Sequence, residues 1–372
     1  NDSRYLGPVE SPLLSIHQAL GAKLGDFAGW QMPLEYPAPV GGGTLAEHQA
    51  VRELAGLFDV SHLGKARVSG EGSLEFLNSV FTNDLLRITD GQAQYTLLCN
   101  KEGGVIDDLI VYRNSATDLF LVPNASNTTD VVRVLRESAP EGIAVENLHE
   151  ASGVIALQGP RASAVLKKLG VEPEMDYMAF VNTEIDNSPI ILCRTGYTGE
   201  LGFEIIPRWA DAEKVWDKLV EVVEKLNGTP CGLGARDILR TEMGYPLHGH
   251  ELSLQISPVE AAAGWAVGWS KAEFKGRKVL SDQKENGTKL KLKAILSLDR
   301  GIPRKDMQVK NSSGEVIGVV TSGTFSPGLK KGIGLALINS EVIKGDNVLI
   351  DVRGTDCQFE VVGLPFVPSK VR

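Results

Sequence analysis

Two adjacent carboxylates, Asp107 and Asp108, stand in the middle of an apolar run, Val105-Ile106-Asp107-Asp108-Leu109-Ile110-Val111-Tyr112. A second apolar run precedes them, and Asn100-Lys101-Glu102-Gly103-Gly104 lies between, so residues 95–113 read as a β-hairpin with a glycine-bearing turn. Aspartate is a poor strand former. A buried carboxylate must also be paired or hydrogen-bonded to be tolerated. Successive strand residues point to opposite faces. Asp108 therefore shares a face with Ile106, Ile110 and Tyr112, and Asp107 with Val105, Leu109 and Val111. Both faces are apolar, so the strand is expected to be covered on both sides. Either turn and backbone donors satisfy both acids, or one of them faces a ligand.

Other candidate groups are scattered. Glu204 places a carboxylate inside a short apolar strand, Phe203-Glu204-Ile205-Ile206, which follows the turn Thr198-Gly199-Glu200-Leu201-Gly202. Arg236 and Arg240 lie one helical turn apart, either as surface charges or as a clamp for a carboxylate. His248-x-His250 beside Glu251 has no third ligand at a recognisable spacing, so it reads as a surface turn and not as a metal site. Gly41-Gly42-Gly43 lacks the Lys-Ser/Thr of a phosphate loop. Gly232-Leu233-Gly234 lacks the third glycine of a dinucleotide fingerprint, and no strand is evident before it.

The elements that must position these groups follow from periodicity. Ser11-Pro12 starts a helix with Leu13, Ile16, Leu20 and Leu24 at helical spacing. Residues 26–33 read as a packed-down loop, and Thr44-x-x-Glu47 as a capping box. Strand-like residues 57–68 and helical residues 73–80 precede the hairpin; residues 118–123 continue the sheet, and 127–138 form an amphipathic helix. Strands follow at 143–148 and 154–157, then a helix from Gly159-Pro160 to Gly170. A second hairpin spans 190–206, and helices cover 209–226 and 235–243. Antiparallel strands alternating with helices imply α+β. Beyond a linker at 281–287, short strands at 290–298, 315–321, 332–338, 347–352 and 357–362 show no helical period. They read as a separate all-β domain of sandwich or jelly-roll character.

The totals bound the function. With 372 residues, 42% of them hydrophobic and 23% charged, the chain has room for two or three ordinary globular domains. No apolar run is long enough to span a bilayer. The amino terminus lacks the apolar core of a secretion signal, and its lack of an initiator Met leads us to expect that an upstream segment or tag has been removed. Cys99, Cys193, Cys231 and Cys357 are far apart, as expected of free thiols in a reducing compartment. The net charge of −9 argues against nucleic-acid binding. Residues 271–310 nonetheless carry 12 Lys/Arg against 5 Asp/Glu, a net +7 that leaves −16 for the rest. That stretch is either a solvated face or a docking surface for an acidic partner or a polyanionic small molecule.

Several separated strings converge on one family. GDFAGWQMP (25–33), GLFDVSHLG (56–64), YTLLCNKEGGVIDDLIVY (95–112), ALQGP (156–160), RTGYTGELGFEI (194–205), GLGARDILR (232–240) and TSGTFSPGLKKGIGLA (321–336) resemble the T-protein, or aminomethyltransferase, family of the glycine cleavage system. The likeness runs in the family's order over nearly the whole chain. It implies a three-lobed cloverleaf of α+β class around a central folate channel. The lobes would be residues 1–60 with 150–280, residues 61–149 carrying the aspartate hairpin, and residues 281–372. It also implies tetrahydrofolate as co-substrate and a lipoylated H-protein as partner, with no metal, no nucleic acid and no membrane. A methylene group would pass from the aminomethyl-lipoyl arm to the folate, releasing ammonia and 5,10-methylenetetrahydrofolate.

By the same resemblance Asp108 is the catalytic carboxylate. Tyr95, Ile110, Tyr197, Glu204, Arg236 and Tyr245 stand at folate-contacting positions, and Arg372 is the candidate for a carboxyl-terminal arginine that the family uses. Leu201 departs from the family, which often has Asp there. The residue types suit these roles. Glu204 can accept from the N–H edge of a pterin, the tyrosines can wall flat rings, and Arg236 can pair with the glutamate tail. A fixed carboxylate helps as positive charge develops on the one-carbon fragment, with proton transfer as its second role. Two alternatives share the fold: a folate-dependent demethylase of an N-methyl or S-methyl substrate, and a non-catalytic folate-binding paralogue. The compartment expected is a bacterial cytoplasm, or a mitochondrial matrix if the source is eukaryotic.

Overall fold

The computed structural model describes residues 8–372; the reading of the amino terminus falls largely on residues 1–7, outside those described. Among the described residues there are four sheets, and the three larger ones carry the architecture, each with an apolar core of its own. A six-stranded sheet comprises Gly56–Asp59, Ile155–Gln158, Phe180–Ile185, Ser188–Cys193, Gly202–Pro207 and Thr229–Cys231. All its pairings are antiparallel except that of Thr229–Cys231 with Gly56–Asp59. Helix Ala212–Lys225 covers one face through Val215, Trp216, Leu219 and Val223, the i, i+1, i+4, i+8 stripe of its sequence.

The five-stranded sheet is formed by Ala66–Ser69, Gln92–Cys99, Val105–Ser115, Asp118–Val122 and Ala144–Asn147, all antiparallel. Helices Ser73–Val80 and Thr128–Ser138 pack their apolar stripes, Leu74, Leu77, Val131 and Leu135, against it. The carboxyl-terminal region is all β, as its texture implies. Its strands, including Gln308–Lys310, close into a single six-stranded barrel in place of a two-sheet jelly roll. Closure removes the free edges that short exposed strands would otherwise present.

Several local expectations are corrected. The first helix is short, Leu14–Ala19, and residues 23–35 form the hairpin Lys23–Phe27 and Trp30–Glu35 instead of a loop. Leu24 belongs to that hairpin because the chain turns left-handed at Gly21 (φ 72°). Thr44-x-x-Glu47 is no capping box. Gly43 caps the helix, while Glu47 accepts the backbone N–H groups of Tyr36 and Gly232, each at 2.7 Å. Residues 281–287 lie almost wholly in helix Arg277–Asn286 rather than a linker. A strand, Thr229–Cys231, does precede Gly232. A side chain on that glycine would collide with the backbone of Leu34, so close packing, not phosphate binding, requires it.

Candidate active site

The aspartate hairpin forms as expected, Gln92–Cys99 against Val105–Ser115. Asn100 holds its turn by accepting from the N–H groups of Glu102 and Gly104 at 3.1 and 2.9 Å. A side chain at Gly104 would strike the Leu254 carbonyl, so glycine is needed for the neighbouring loop to approach. The register sets Tyr95 opposite Ile110 and Leu97 opposite Asp108, which places Tyr95, Asp108 and Ile110 on one face. Asp107 lies opposite Leu98 and faces the core of Leu109 and Val111.

The two faces differ. Val105, Asp107, Leu109 and Val111 are buried, whereas Ile106, Asp108 and Ile110 are half-buried, so the Asp108 face is only partly covered, contrary to expectation. The acids are satisfied differently as well. Asp107 accepts from the Asn124 backbone N–H and from the side-chain amides of Asn124 and Asn127, each at 2.8 Å. Asp108 accepts from the Tyr95 hydroxyl at 2.9 Å and from the Asn124 amide at 2.7 Å. Burial raises the Asp108 pKa above the ordinary carboxylate value, opposed by the Tyr95 hydrogen bond and by His248. Burial and then the Asp108 charge push Asp107 upward too, against the amides of Asn124 and Asn127.

A wall of half-buried aromatic and charged groups belongs to the same neighbourhood. Asp108 raises the pKa of Tyr197, after burial itself. Tyr197 donates to the Pro246 carbonyl and stacks on Tyr245, with ring centroids 5.8 Å apart. Its turn is tight: Gly199 is left-handed (φ 79°), and any side chain there would meet Met243. Arg236, on helix Leu233–Met243, lies over the Tyr197 ring at 4.7 Å. Among the described residues its guanidinium makes no hydrogen bond or ion pair. Burial lowers its pKa, and the attraction of Glu204 and Tyr197 opposes the shift; an arginine stays charged even so. Glu204 is buried, accepts from the Thr195 hydroxyl at one oxygen and, among the described residues, has no hydrogen bond at the other.

Arg372 reaches the same neighbourhood from the carboxyl terminus. Its guanidinium sits 5.9 Å from the Tyr177 ring, whose own pKa is raised first by burial and then by Glu204. The tail is held there because Lys370 N–H donates to Gly199 at 2.7 Å and Arg194 donates to the Val371 carbonyl at 2.8 Å. Ile110 supplies an apolar contact in the half-buried layer that includes Leu63, Val122 and Met178.

Arg240 is a different case. It is neither a surface charge nor a clamp with Arg236, because it is fully buried and bonded to Asp237, Glu251 and Ser322 at 2.8, 2.7 and 2.9 Å. Two residues further on the same helix, Glu242 accepts from Arg52 at 2.8 Å and Ser326 at 2.6 Å and contacts His48 at 2.6 Å. Helix Leu233–Met243 is thereby fastened to the barrel strand Val316–Ser326 at two places, and those bonds set the position of Arg236.

Sequence reasoning missed Asn124, Asn127, Tyr177, His248 and Trp265. Trp265 is 67% exposed and stacks on Tyr95 at 5.2 Å. The pair His248-x-His250 does lie at a turn with Gly249 exposed, but both histidines are half-buried and bonded. His248 contacts Asn127 and the Val105 carbonyl, while His250 contacts the Thr321 carbonyl and Ser322. The one available signal was the spacing in Pro123-Asn124-Ala125-Ser126-Asn127, two amides at the mouth of a helix directly after a strand.

A family model described as the GCVT N-terminal domain matches residues 13–271, and one described as the glycine cleavage T-protein C-terminal barrel domain matches residues 293–368. The chain belongs to the glycine cleavage T-protein family. It is 56% identical over 362 residues to the aminomethyltransferase of Parafrankia sp. (strain EAN1pec), covering 97% of this chain and 98% of that one. With the aminomethyltransferase of Mycobacterium tuberculosis (strain ATCC 25618 / H37Rv) it shares 50% over 366 residues, 98% of each. The crystal structure of the glycine cleavage system aminomethyltransferase T from Bartonella henselae superposes with a TM-score of 0.90 at 34% identity, covering 97% of this chain and 99% of that one. Family, fold and enzyme class therefore agree with the resemblance read from the strings: an aminomethyltransferase, a one-carbon transferase of glycine cleavage. No helix among the described residues is long and apolar enough to cross a membrane.

Proposed function

We propose that this T-protein takes a methylene group from an aminomethyl-lipoyl arm on H-protein, with tetrahydrofolate as co-substrate, and releases ammonia and 5,10-methylenetetrahydrofolate. The observation that carries this reading is the half-buried Asp108 carboxylate, aimed by Tyr95 and Asn124 toward the layer that holds Tyr197 and Ile110. The surrounding donor and acceptor set suits a folate. Glu204 keeps one oxygen free for a ring N–H edge, Arg236 keeps an unpaired guanidinium for a carboxylate tail, and Tyr197 with Tyr245 supplies an aromatic wall. Arg372 adds a second cation beside Tyr177.

The folate supplies nucleophilic nitrogens that accept the one-carbon fragment. The protein's part is electrostatic and positional. Asp108 is fixed before reaction, so its charge stabilises the positive charge that develops as ammonia leaves without reorganising at that moment. The Tyr95 hydroxyl at Oδ2 provides a contact through which a proton can be relayed. The aromatic wall keeps bulk water from the reacting carbon.

The partners belong to this proposal: lipoylated H-protein and folate, with neither nucleic acid nor membrane. We place the activity in a bacterial cytoplasm, because the relatives are bacterial and all four cysteines are free. The testing assay mixes aminomethylated H-protein with tetrahydrofolate and follows ammonia and methylenetetrahydrofolate. Ammonia release that does not depend on folate would overturn the proposal.

A further inference from the structure

Behind Asp108 runs a chain of hydrogen bonds whose direction is fixed by its last member. The Val105 carbonyl can only accept, so the His248 nitrogen 2.9 Å from it, Nε2, carries the hydrogen. In the neutral ring Nδ1 is then an acceptor, and it lies 3.0 Å from the Asn127 amide nitrogen. The other N–H of that amide points at Asp107 Oδ1, 2.8 Å away. Turned over, the Asn127 amide would set its oxygen against both the Asp107 carboxylate and the Nδ1 lone pair, two repulsive contacts in place of two hydrogen bonds.

The consequence falls on the carboxylate pair. Among the described residues every hydrogen bond to the Asp107 carboxylate comes from an N–H donor, so a proton on Asp107 would have no acceptor there. Asp108 Oδ2 faces a tyrosine hydroxyl, which can donate to a carboxylate and can also accept from a carboxylic acid. The ionisable groups facing the pair are Tyr95, Tyr197 and His248. A proton held by the pair therefore rests on Asp108.

We infer that His248 is a positioning residue: by accepting from Asn127 at Nδ1 while donating to Val105 from Nε2, it holds the Asn127 amide toward Asp107 and leaves Asp108 as the acid that exchanges the proton. The inference rests on the role proposed above for Asp108.

The two ring nitrogens can be tested apart. His248→Asn puts a carbonyl oxygen near the Nδ1 position and keeps the acceptor for Asn127. His248→Gln puts an amide N–H near the Nε2 position and keeps only the donor to Val105. In folate-dependent ammonia release, His248→Gln should lose about tenfold in kcat with KM for tetrahydrofolate within about twofold, while His248→Asn stays within about threefold of the parent. Carbon-13 carboxylate titrations of the folate-free protein, assigned with Asp107→Asn and Asp108→Asn, should show the Asp108 midpoint displaced by about half a pH unit or more in His248→Gln only. Equal behaviour of the two variants, or an unmoved midpoint in His248→Gln, overturns the inference. Imidazole nitrogen-15 shifts of the unmodified protein need no variant to fold, and a hydrogen found on Nδ1 instead of Nε2 also overturns it. Failure of the Asp108 reading looks different: Asp108→Asn would then turn over normally, while the carboxylate titrations still report on His248.

Discussion

The guanidinium of Arg236 lies over the ring of Tyr197 at 4.7 Å, and among the described residues no carboxylate or carbonyl pairs with it. An arginine held this way from the fold side is poised for an anion from the other. A charge-assisted hydrogen bond contributes about 1.5–3 kcal/mol, so Arg236→Ala should raise KM for tetrahydrofolate by about tenfold or more and leave kcat within a small factor. Thermal stability should hold or rise, since the substitution removes a desolvated cation without orphaning a partner. A KM that stays put while the melting temperature falls would make Arg236 a packing residue.

Asp108 is the sharper case, because its acceptors face the half-open layer. Asp108→Asn preserves size and keeps an oxygen for Asn124 or Tyr95 to bond. Folding and folate affinity, measured by melting and by equilibrium titration, should change little. Turnover should fall by about 100-fold or more, the scale of removing a preorganised electrostatic group. An unchanged rate would remove Asp108 from the chemistry.

Asp107 should give the opposite pattern. It is fully buried and accepts three N–H bonds, so Asp107→Asn sets an NH2 group against donors that cannot accept it. The expected loss is about 3 kcal/mol of stability, read as a lower denaturant midpoint with unchanged slope. Activity of the fraction that remains folded should suffer less than in Asp108→Asn. Equal loss of turnover in the two variants, without loss of stability in Asp107→Asn, would contradict the assignment.

The sequence made the hairpin legible because both of its strands and its turn are locally encoded. The same holds for helices Ser73–Val80 and Ala212–Lys225, whose apolar stripes are intact. What stayed hidden depends on long-range contacts. Leu24 continues a helical period, yet it pairs with Pro33 in a hairpin, because tertiary pairing outweighs a weak propensity. Glu47 stands at a capping-box position, yet its carboxylate serves Tyr36 and Gly232 across the fold. Within the site, the opposite facing of Asp107 and Asp108 was readable from the alternation of the strand, whereas the choice of Asp108 came only from the family resemblance. Their separate hydrogen-bond environments were not, because they are set by Asn124 and Asn127, more than a dozen residues away, and by His248, more than a hundred residues further on. Arg240 shows the same limit: it sits one turn from Arg236, and only the partners supplied by Glu251 and Ser322 distinguish a fastening from a free cation.

A second buried network predicts how stability responds to acid. Burial pushes the Asp59 carboxyl up, but contacts with His17, Ser11 and Ser61 outweigh it and leave the pKa below the ordinary value. The His17 contact is 2.7 Å long, and Tyr36 closes the network at the other ring nitrogen, 2.8 Å away. A carboxyl with a depressed folded-state pKa adds stability that is present above its unfolded value and is lost as pH falls through the folded one. Stability should therefore drop as pH falls below about 4, the unfolded range for aspartate. Asp59→Asn should lower the plateau at neutral pH and flatten this acid limb. Urea midpoints at several pH values measure both, and an acid limb of unchanged steepness in Asp59→Asn would assign the loss to other groups.

The basic stretch at 271–310 divides once its partners are known. Lys271 points inward and donates to the carbonyls of Asn78, Phe81 and Asn83 at 2.6–2.7 Å, with burial pushing its pKa down to about 8. Lys310 pairs with Asp356, and Lys305 donates to the Gly249 carbonyl. Lys278, Lys289, Lys291 and Arg300 are exposed and make no ion pair among the described residues. They form the part of the stretch that is free to meet an acidic partner. Exposed charges are screened over about 8 Å at physiological ionic strength, so KM for H-protein should climb steeply between low and moderate salt. Replacing Lys289 and Lys291 together with Glu should raise that KM at low salt and bring it close to the parent at high salt, with KM for tetrahydrofolate unmoved. A KM for H-protein that is flat with salt in both proteins would leave these lysines as a solvated face, and the partner's docking charges would have to lie elsewhere on the molecule.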